Sequence, residues 1–450
     1  MSETKEIHFS NKQLICLIWP LILEQFLSLA VGLADTIMVA QLGDASVSGV
    51  SLVNSINDLM IFIFSAMAAG GAAVCGQYIG RSGYEDAKST GLHLIFLLLT
   101  VSAVVAALLY LFRLPVIANL FGSIDADVMT ATNSYYQIVM ASIPAIALYN
   151  GGAALFRAMA KTDVTLKISL LMNGINVGGN ALLIFGFGYG VEGVAIPTLV
   201  SWWIAAVVVL VLLFQKKYQL NLTGIFQFRF NRIILRNIVS LGIPGGIENG
   251  MFQLGKLVLY SFISTMGTAS ITANAVGGSL ANMNVMLGCA VNLALTTVVS
   301  RCVGAGAYEK ARYYLKKLMI WTYIMTAVLI GILLLLTPLI LRIYDVSPEA
   351  SALAWKIELL HGIATAVIWV PAFMTPNFLR SAGDATFTMV VSAASMWIGR
   401  VLGAFLLGRY FGMGVMGVWT AHTVIDWIIR SVIFFIRYRK GKWMTKAIRG

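Results

Sequence analysis

Residues 19–43 read WPLILEQFLSLAVGLADTIMVAQLG, an apolar run that contains two carboxylates, Glu24 and Asp35. The surrounding apolar stretch, from about residue 13 to about residue 39, is longer than the roughly 20 residues that a helix needs to cross a bilayer. It is also too long for the core of a cleaved signal peptide, so it predicts a retained first membrane span. We therefore expect the fold to begin with a transmembrane helix that carries acidic side chains.

The composition of the whole chain has the same character. Of its 450 residues, 59% are hydrophobic and 11% are charged, whereas a soluble domain has about half apolar and about a quarter charged residues. This composition excludes a soluble cytosolic enzyme. Lys- and Arg-rich cytoplasmic loops account for the net charge of +12 in a protein that crosses the membrane many times, so we predict no nucleic-acid partner.

Motifs for enzymatic or ATP-driven chemistry are missing from the sequence. It contains no GxxxxGK[ST] phosphate loop, no HExxH and no GxSxG, and its 4 histidines have no metal-ligand spacing. We therefore expect neither an enzyme nor a bound cofactor. If the protein transports actively, an ion gradient must supply the energy.

The pattern of apolar runs, charged clusters and Gly or Pro residues predicts an all-α membrane protein with twelve transmembrane helices. The expected helices cover about residues 13–40, 46–79, 90–112, 127–156, 165–187, 191–214, 236–264, 269–301, 313–343, 352–379, 387–410 and 414–437. Pro144, Pro244 and Pro371 lie inside these helices and are candidate kinks.

An internal repeat divides the chain into two related halves, with most matching residues at one offset, the repeat offset, and Arg157 matching Arg380 at an offset one residue shorter. This repeat offset pairs Pro20 with Pro244, Glu24 with Glu248, Gly43 with Gly267, Gly80 with Gly304, Tyr84 with Tyr308 and Gly190 with Gly414. We predict an N-terminal lobe at residues 1–214, a connector at 215–235 and a C-terminal lobe at 236–450. Because each lobe has an even number of helices, six, both enter the membrane from the same side, and the repeat axis should run along the membrane normal.

The distribution of Lys and Arg predicts the orientation of the chain. These residues concentrate in both terminal segments and in the even-numbered connections, whereas the other side holds Arg113, Arg342, Lys356 and Arg409. The positive-inside rule then places both termini in the cytoplasm of a cell whose inner (plasma) membrane holds the protein. The basic connector is expected to lie against anionic membrane lipids.

Polar side chains at membrane depth are the candidates for function, because each is costly to insert and usually faces a cavity or a partner. On the first helix, Asp35 is favoured as a cation or proton site over a structural hydrogen-bonded Asp. Glu24 lies on the same face, with a functional and a structural role about equally favoured. On the fifth helix, Asn176 and Asn180 lie one turn apart; their amide oxygens suit Na⁺, but hydrogen bonding between packed helices is equally favoured.

Further candidates lie on other helices. Thr198 follows Pro197, which could break the sixth helix and expose backbone carbonyls. Asn54 and Asp58 on the second helix are interpreted as cavity-lining, with a polar contact between helices as the alternative.

In the second half, Glu248 repeats Glu24, and Lys256 is either a counter-charge for a carboxylate or a cavity residue. Asp426 and Arg430 are four residues apart and are expected to pair, an interpretation favoured over a proton relay that includes His422. Cavity-lining methionines would suit variable apolar substrates because the thioether adapts its shape. The candidates are Met251, Met283 and Met286.

The sequence resembles the multidrug and toxic compound extrusion (MATE) family over nearly its whole length. The segments that carry the resemblance are the run at 19–43, IPGGIENGMFQLGK at 243–256, STMGTASITANAV at 264–276, LFRAMAKTD at 155–163, FLRSAGDAT at 378–386 and GYGVEGVAIPTLVSW at 188–202. The resemblance implies two six-helix lobes around a central V-shaped cleft. It also implies export of bulky, often cationic or amphipathic compounds in exchange for Na⁺ or H⁺, by a protein that we expect to be a monomer.

Carried over position by position, the family's cation site in the first lobe resembles Asp35, Asn176, Asn180 and Thr198 here. One branch of the family has an Asp where this chain has Asn180, which puts proton coupling through a second carboxylate on the fifth helix in doubt. Another branch uses a carboxylate in the tenth helix, but no Asp or Glu lies between His361 and Arg380. Glu248 is then the strongest acidic candidate of the second lobe, as a coupling site or as a site for cationic substrates.

Two alternative functions stay open at this point. A lipid-linked saccharide flippase or exporter of the same superfamily would be expected to have more basic residues in the cleft and often fourteen spans. A passive channel or membrane scaffold would not need acidic and amide sites in matched lobes.

Overall fold

The computed structural model describes residues 7–121, 125–223 and 229–448. Part of the predicted connector, residues 224–228, lies outside the described residues. Regular structure in the described part is helical, in agreement with the predicted all-α fold. Long helices α1 to α12 follow one another along the chain: Asn11–Ala40, Asp44–Gly80, Tyr84–Leu111, Ala126–Ala158, Thr162–Gly186, Glu192–Leu213, Arg232–Ser264, Thr268–Gly304, Tyr308–Ile343, Pro348–Ser381, Ala385–Tyr410 and Gly414–Arg439.

In the described part of the chain, 11 of these helices are long and apolar enough to cross a membrane. The remaining one, α7, has 33 residues, which is also long enough to cross. It is less apolar because Glu248 and Lys256 lie within it. Large apolar side chains such as Leu335 and Ile343 are exposed along the helices, as expected where the solvent is lipid rather than water.

Most predicted helix ends lie within four residues of the observed ones, and the largest differences occur at two N-termini. Helix α3 begins at Tyr84 and α9 at Tyr308, six and five residues earlier than predicted. Their first turns contain Glu85 and Glu309. Apolar periodicity does not detect such turns, although acidic residues stabilise a helix N-terminus. The short helix Arg113–Phe121 between α3 and α4 was also not predicted.

The repeat is visible in the backbone as well as in the sequence. Helix α2 begins at Asp44 and ends at Gly80, and α8 begins at Thr268 and ends at Gly304, so both ends are separated by the repeat offset. Left-handed backbone conformations recur at the same offset: Gly43 with Gly267 (φ 87° and 91°), Ser82 with Gly306 (62° and 72°) and Gly188 with Gly412 (69° and 68°). The two halves therefore use the same turns between equivalent helices.

The prolines have different effects on the helices that contain them. Helix α4 is interrupted by a 3₁₀ turn, Met140–Ser142, just before Pro144, and α10 by a π-turn, Thr365–Trp369, just before Pro371. These interruptions follow from the missing N–H donor of proline. Helix α7 continues through Pro244. Helix α6 continues through Pro197, so the break expected before Thr198 is not observed.

The chain forms two compact units. One unit is Ser10–Gly246, and the other is Ile247–Gly450 together with the N-terminal residues up to Phe9. In the first unit, Tyr149 and Trp202 pack against a core of Ala145, Leu148 and Ala206 from α4 and α6. In the second unit, a larger apolar core joins α7, α8, α9, α10, α11 and α12. The boundary between the units falls inside α7, and the predicted lobe boundaries around residues 215–235 stay a prediction.

Candidate functional site

The first unit places a carboxylate of α1 against an amide of α5. Asn180 Nδ2 donates to Asp35 Oδ1 over 2.8 Å. The Asn180 side chain is fully buried, and its Oδ1 atom has no hydrogen-bond partner. Buried amide oxygens are normally satisfied, so this oxygen is a free acceptor next to a carboxylate.

Asn176, one turn before Asn180 on α5, lies between Asp35 and Thr198 of α6. In one amide orientation, its Nδ2 donates to Thr198 Oγ1 over 3.1 Å. In the other, its Nδ2 donates to Asp35 Oδ1 and Oδ2 over 3.1 and 3.3 Å, and its Oδ1 faces the Thr198 hydroxyl.

The two orientations of Asn176 suit two states of the site. An ionised Asp35 accepts hydrogen bonds only, so it requires the Nδ2 atom of Asn176. A protonated Asp35, or a cation bound to it, requires the Oδ1 atom instead. In that second case, Thr198 can still accept from Asn176 while its own hydroxyl donates to the Val194 carbonyl over 2.8 Å.

A cavity of about 530 Å³ opens beside this cluster. Its polar lining comes from α1, α2, α4, α5 and α6: Ser28, Asp35, Thr36, Ser51, Asn54, Asn57, Asp58, Tyr135, Asn173, Asn176, Thr198 and Ser201. The structure thus brings Asn54, Asp58, Asp35, Asn176 and Thr198 to one space. Sequence reasoning missed Tyr135, whose hydroxyl donates to Asn54 Oδ1 over 3.1 Å, because a tyrosine in an apolar run has no pattern that marks it.

Glu24 is separate from this cluster. It is buried and accepts a hydrogen bond from the Thr165 hydroxyl of α5. Both carboxylates of α1 therefore contact α5, in keeping with the shared face inferred from their spacing. The lining of the 530 Å³ cavity includes Asp35 but not Glu24.

In the second unit, Glu248 and Asp426 pair with arginines, and one expected pair is wrong. Glu248 is buried; Arg380 Nη1 lies 2.8 Å from its Oε2 and Arg430 Nη2 3.7 Å from its Oε1. Asp426 pairs with Arg400 of α11 over 2.6 Å, not with Arg430. Asp426 and Arg430 thus have their partners on neighbouring helices and not one turn away on α12.

A second cavity, of about 460 Å³, lies within the second unit. Its lining includes Lys256, Arg400 and His422, with Asn274 and Asn282, and contains no Asp or Glu among its described residues. Lys256 also lies over the Phe252 ring, with Nζ 5.3 Å from the ring centroid.

The three candidate methionines are not among the lining residues of this cavity. Met283 packs against the apolar core, Met286 is buried and Met251 is half-buried.

Sequence reasoning also missed a buried carboxylate on α10. Glu358 is fully buried, and its carboxylate oxygens contact Asn284 Nδ2 of α8 over 3.0 and 3.1 Å. Glu358 lies three residues before the segment from His361 to Arg380, which contains no Asp or Glu, and belongs to the same helix.

The repeated helical fold and the apolar side chains exposed along its helices define a protein that crosses the membrane many times. The MatE family model matches the chain twice, over residues 20–182 and 244–406, and the chain belongs to this family, the MATE transporters. The starts of the two matches, like their ends, are separated by the same offset that relates Pro20 to Pro244. The internal repeat is thereby confirmed at the offset predicted from the sequence.

Relatives align along the whole chain. "Uncharacterized transporter YisQ" of Bacillus subtilis is 27% identical over 444 residues, covering 97% of this chain and 95% of the relative. "Probable multidrug resistance protein NorM" of Thermotoga maritima is 24% identical over 450 residues, covering 99% and 95%. A solved MATE transporter of the MOP superfamily in an outward-facing conformation has a TM-score of 0.87 at 19% identity and covers 96% of each chain.

For one further solved structure of this fold, a different function is suggested. It is a MOP superfamily transporter from Pyrococcus furiosus for which reverse polarity of the binding pocket suggests a different function. It has a TM-score of 0.87 to this chain at 19% identity and covers 97% of each chain. These structures share the fold with this chain.

Proposed function

We propose that this protein is a secondary antiporter that exports bulky cationic or amphipathic organic compounds in exchange for Na⁺ or H⁺. The observation that carries the proposal is the contact of Asp35 with the amides of Asn180 and Asn176 beside a polar cavity at membrane depth. The multidrug resistance names of several relatives support the substrate class. Both termini are taken to be cytoplasmic, and the membrane to be the cell's inner membrane, because of the Lys and Arg distribution.

The side chains at Asp35 suit a small cation in two ways. The carboxylate supplies a negative charge, while the unpartnered Asn180 Oδ1 and a reoriented Asn176 Oδ1 supply neutral oxygens. A proton bound to Asp35 instead gives an O–H group that donates to Asn176 Oδ1. Either ion neutralises the carboxylate, and the two amide nitrogens then no longer have to donate to it. Ion binding therefore changes the contacts that α1 makes with α5.

Coupling follows from this change of contacts. An ion can shift a conformational equilibrium only by its difference in affinity for the two states. A state in which Asn176 and Asn180 donate to Asp35 favours an ionised, ion-free carboxylate, whereas a state that turns their oxygens inward favours the bound ion. Ion entry from outside thus drives the protein toward substrate release, and substrate loading from the cytoplasm returns it.

Efflux measurements in proteoliposomes test the proposal. The protein is reconstituted with a fluorescent cationic dye, and Na⁺ and proton gradients are imposed separately. Asp35→Asn should abolish gradient-driven efflux, whereas Asp44→Asn, a change at an exposed carboxylate of α2, should leave it intact. Undiminished efflux by Asp35→Asn would overturn the assignment.

The basic cavity of the second unit favours a second candidate function. Lys256, Arg400 and His422 around about 460 Å³ suit an anionic headgroup, as a flippase for a lipid-linked saccharide would need. The reversed pocket polarity reported for the Pyrococcus furiosus transporter adds to this alternative. Binding of an anionic lipid-linked saccharide without dye efflux under either gradient would favour the flippase over the antiporter.

A further inference from the structure

The basic cavity of the second unit has the size of a small-molecule site. Its volume of about 460 Å³ lies in the range of about 300–1,000 Å³ that such sites occupy. Helices α7, α8, α11 and α12 contribute to it, and its described lining contains no Asp or Glu. At the repeat offset, Lys256 and Arg400 stand where the first half has Gly32 and Asn176. The positive charge is therefore particular to the second half and is not a result of the duplication.

Arg400 is held in a fixed position and keeps one nitrogen for a ligand. Its Nε and Nη2 atoms donate to Asp426 Oδ2 over 3.0 and 2.6 Å, and both side chains are almost fully buried. A guanidinium has five N–H donors, and these two contacts leave the Nη1 group to another acceptor. Because Arg400 lines the cavity, a ligand there can accept from it while the ion pair stays intact.

Lys256 places a second positive charge close to Arg400. Both cations lie against the ring of Phe252, with Lys256 Nζ 5.3 Å and Arg400 Cζ 4.6 Å from its centroid. Asp426 balances one of the two charges, so these three ionic groups together keep one positive charge. Like charges repel more strongly in a protein interior than in water, and an anionic group that contacts both cations relieves this repulsion.

The amide of Asn274 adds neutral donors to the cavity. Trp419 Nε1 donates to Asn274 Oδ1 over 3.1 Å. An indole N–H can only donate, so this contact identifies the amide oxygen and leaves the two N–H donors of Nδ2 for a ligand. His422 also lines the cavity, and an imidazole has an N–H donor in either protonation state. These donors suit a group that only accepts, such as a carboxylate.

Apolar side chains form another part of the lining. Leu259, Ile263 and Val418 line the cavity and belong to the apolar core of the second unit, and Ile271 lines it as well. Burial of apolar ligand surface against such side chains is favourable, at about 25 cal/mol per Å². A small inorganic anion would leave most of this volume and its apolar lining unused. The cavity therefore suits an anion with an apolar body.

We propose that this cavity is a binding site for an amphipathic organic molecule with a single anionic group, a carboxylate or a phosphate ester. Lys256, Arg400 Nη1 and Asn274 Nδ2 donate to the anionic oxygens. Leu259 and Ile263 contact the apolar body. The site adds a substrate class that differs from the cations proposed above, and in that respect the proposal rests on the proposed transport function. A free organic acid and an anionic lipid headgroup share this chemistry.

Fluorescence titration of the purified protein in a maltoside detergent tests the site without requiring transport. The probes are dansylglycine, an amphipathic carboxylate, and its neutral amide, dansylglycinamide. Hydrogen bonds to a charged group are stronger than those to a neutral one, so dansylglycine should bind about tenfold more tightly or better. Equal affinities of the two probes overturn the proposal.

Substitutions in the lining locate the probe. Lys256→Gln should weaken dansylglycine binding about tenfold or more, and Lys256→Arg should keep most of it. Asn274→Asp keeps an acceptor for Trp419 but replaces the Nδ2 donors by a negative charge, and it should abolish binding. This nearly isosteric change keeps the proposal testable if Lys256→Gln does not fold.

Lys356→Gln is the matched control for the lysine, since Lys356 is exposed on α10 and does not line the cavity. It should leave dansylglycine binding unchanged. Wild-type affinity in the folded Lys256→Gln and Asn274→Asp variants overturns the site, as does an equal loss of affinity in Lys356→Gln.

Competition distinguishes the two sources of the anionic group. Displacement of dansylglycine by decanoate supports the site with a free organic acid as its ligand, and displacement by phosphatidylglycerol but not by phosphatidylcholine supports it with a lipid headgroup. Displacement by neither anion, or equally well by phosphatidylcholine, overturns the proposal. Absence of gradient-driven efflux in the wild type contradicts the antiporter and leaves these binding results readable.

Discussion

The two halves of this transporter share their helices and turns but differ in the chemistry at equivalent positions. Asn176, which contacts Asp35 in the first unit, corresponds to Arg400 in the second. Thr198 corresponds to His422, and Asp35 itself corresponds to Leu259. The same backbone positions therefore line an acidic and amide-rich cavity in one unit and a basic cavity in the other.

The two halves therefore share a fold but do not share a functional site. Turn residues and helix starts are retained at the repeat offset because they determine the backbone. A fourth difference, Asp58 in the first cavity against Asn282 in the second, completes the change from a candidate cation site to a cavity without a carboxylate among its described lining residues. Function in this chain is consequently expected to be divided between the halves and not repeated in each.

The largest effect on transport is expected when Asn176 of the first half is replaced by arginine, the residue at the equivalent position, Arg400, of the second half. Asn176→Arg places a guanidinium next to Asp35, where it forms an ion pair and displaces the coupling cation. We expect gradient-driven dye efflux to be lost in proteoliposomes. Asn176→Gln, which keeps the amide, should retain part of the efflux, and equal efflux by Asn176→Arg and wild type would show that the site is not at Asp35.

Breaking the buried ion pair of the second half should have a large effect on stability. Arg400 and Asp426 are almost fully buried, and removing one partner of such a pair typically costs about 3–5 kcal/mol. Arg400→Leu should therefore unfold at a clearly lower temperature in detergent, and the double change with Asp426→Leu should recover part of the loss. Arg409→Leu, at an exposed site of the same helix, is the control; if it is equally damaging, the loss does not come from the ion pair.

Removing the Thr198 hydroxyl should have a moderate effect on transport. Thr198→Val loses the contact with Asn176, and a hydrogen bond of about 1 kcal/mol corresponds to a change of about fivefold in apparent ion affinity. Thr100→Val is a matched control, because the Thr100 hydroxyl also bonds a carbonyl four residues earlier, that of Phe96, over 2.9 Å, and Thr100 does not line the cavity. Ion titrations of efflux should distinguish the two variants, and identical titrations would remove Thr198 from the site.

The smallest expected effects concern a turn that the two halves share. Ser82 and Gly306 adopt equivalent left-handed conformations, which cost a non-glycine residue about 1 kcal/mol or more. Ser82→Gly should raise the thermal unfolding temperature slightly and Gly306→Ser should lower it. Shifts of the same sign for both changes would contradict the equivalence of the two turns.

Much of the fold was predictable because lipid imposes simple rules on sequence. Apolar runs of sufficient length mark membrane spans, and the clustered matches between Pro20 and Pro244 or Gly43 and Gly267 defined the repeat. The charged first turns of α3 and α9 were not predicted, because hydropathy does not distinguish a polar helix end from a loop.

The candidate site was only partly predictable. Asp35, Asn176, Asn180 and Thr198 stood out as polar residues in apolar helices, and their spacing placed the two amides on one face. The partners of these side chains on other helices were not predictable from the sequence. Asp426 has basic neighbours in sequence and in space, and no sequence pattern shows that it pairs with Arg400 of α11 and not with Arg430 one turn away. Glu358 was missed because its burial comes from packing against α8 and not from its local sequence.

The most direct test of the account is the movement of ions driven by substrate. Proteoliposomes containing a pH-sensitive and a Na⁺-sensitive dye receive a gradient of a cationic substrate with no ion gradient imposed. The account predicts that substrate flow drives H⁺ or Na⁺ in the opposite direction in the wild type and in Asp44→Asn, and that no ion moves in Asp35→Asn. Substrate-driven ion movement of wild-type size in Asp35→Asn would contradict it.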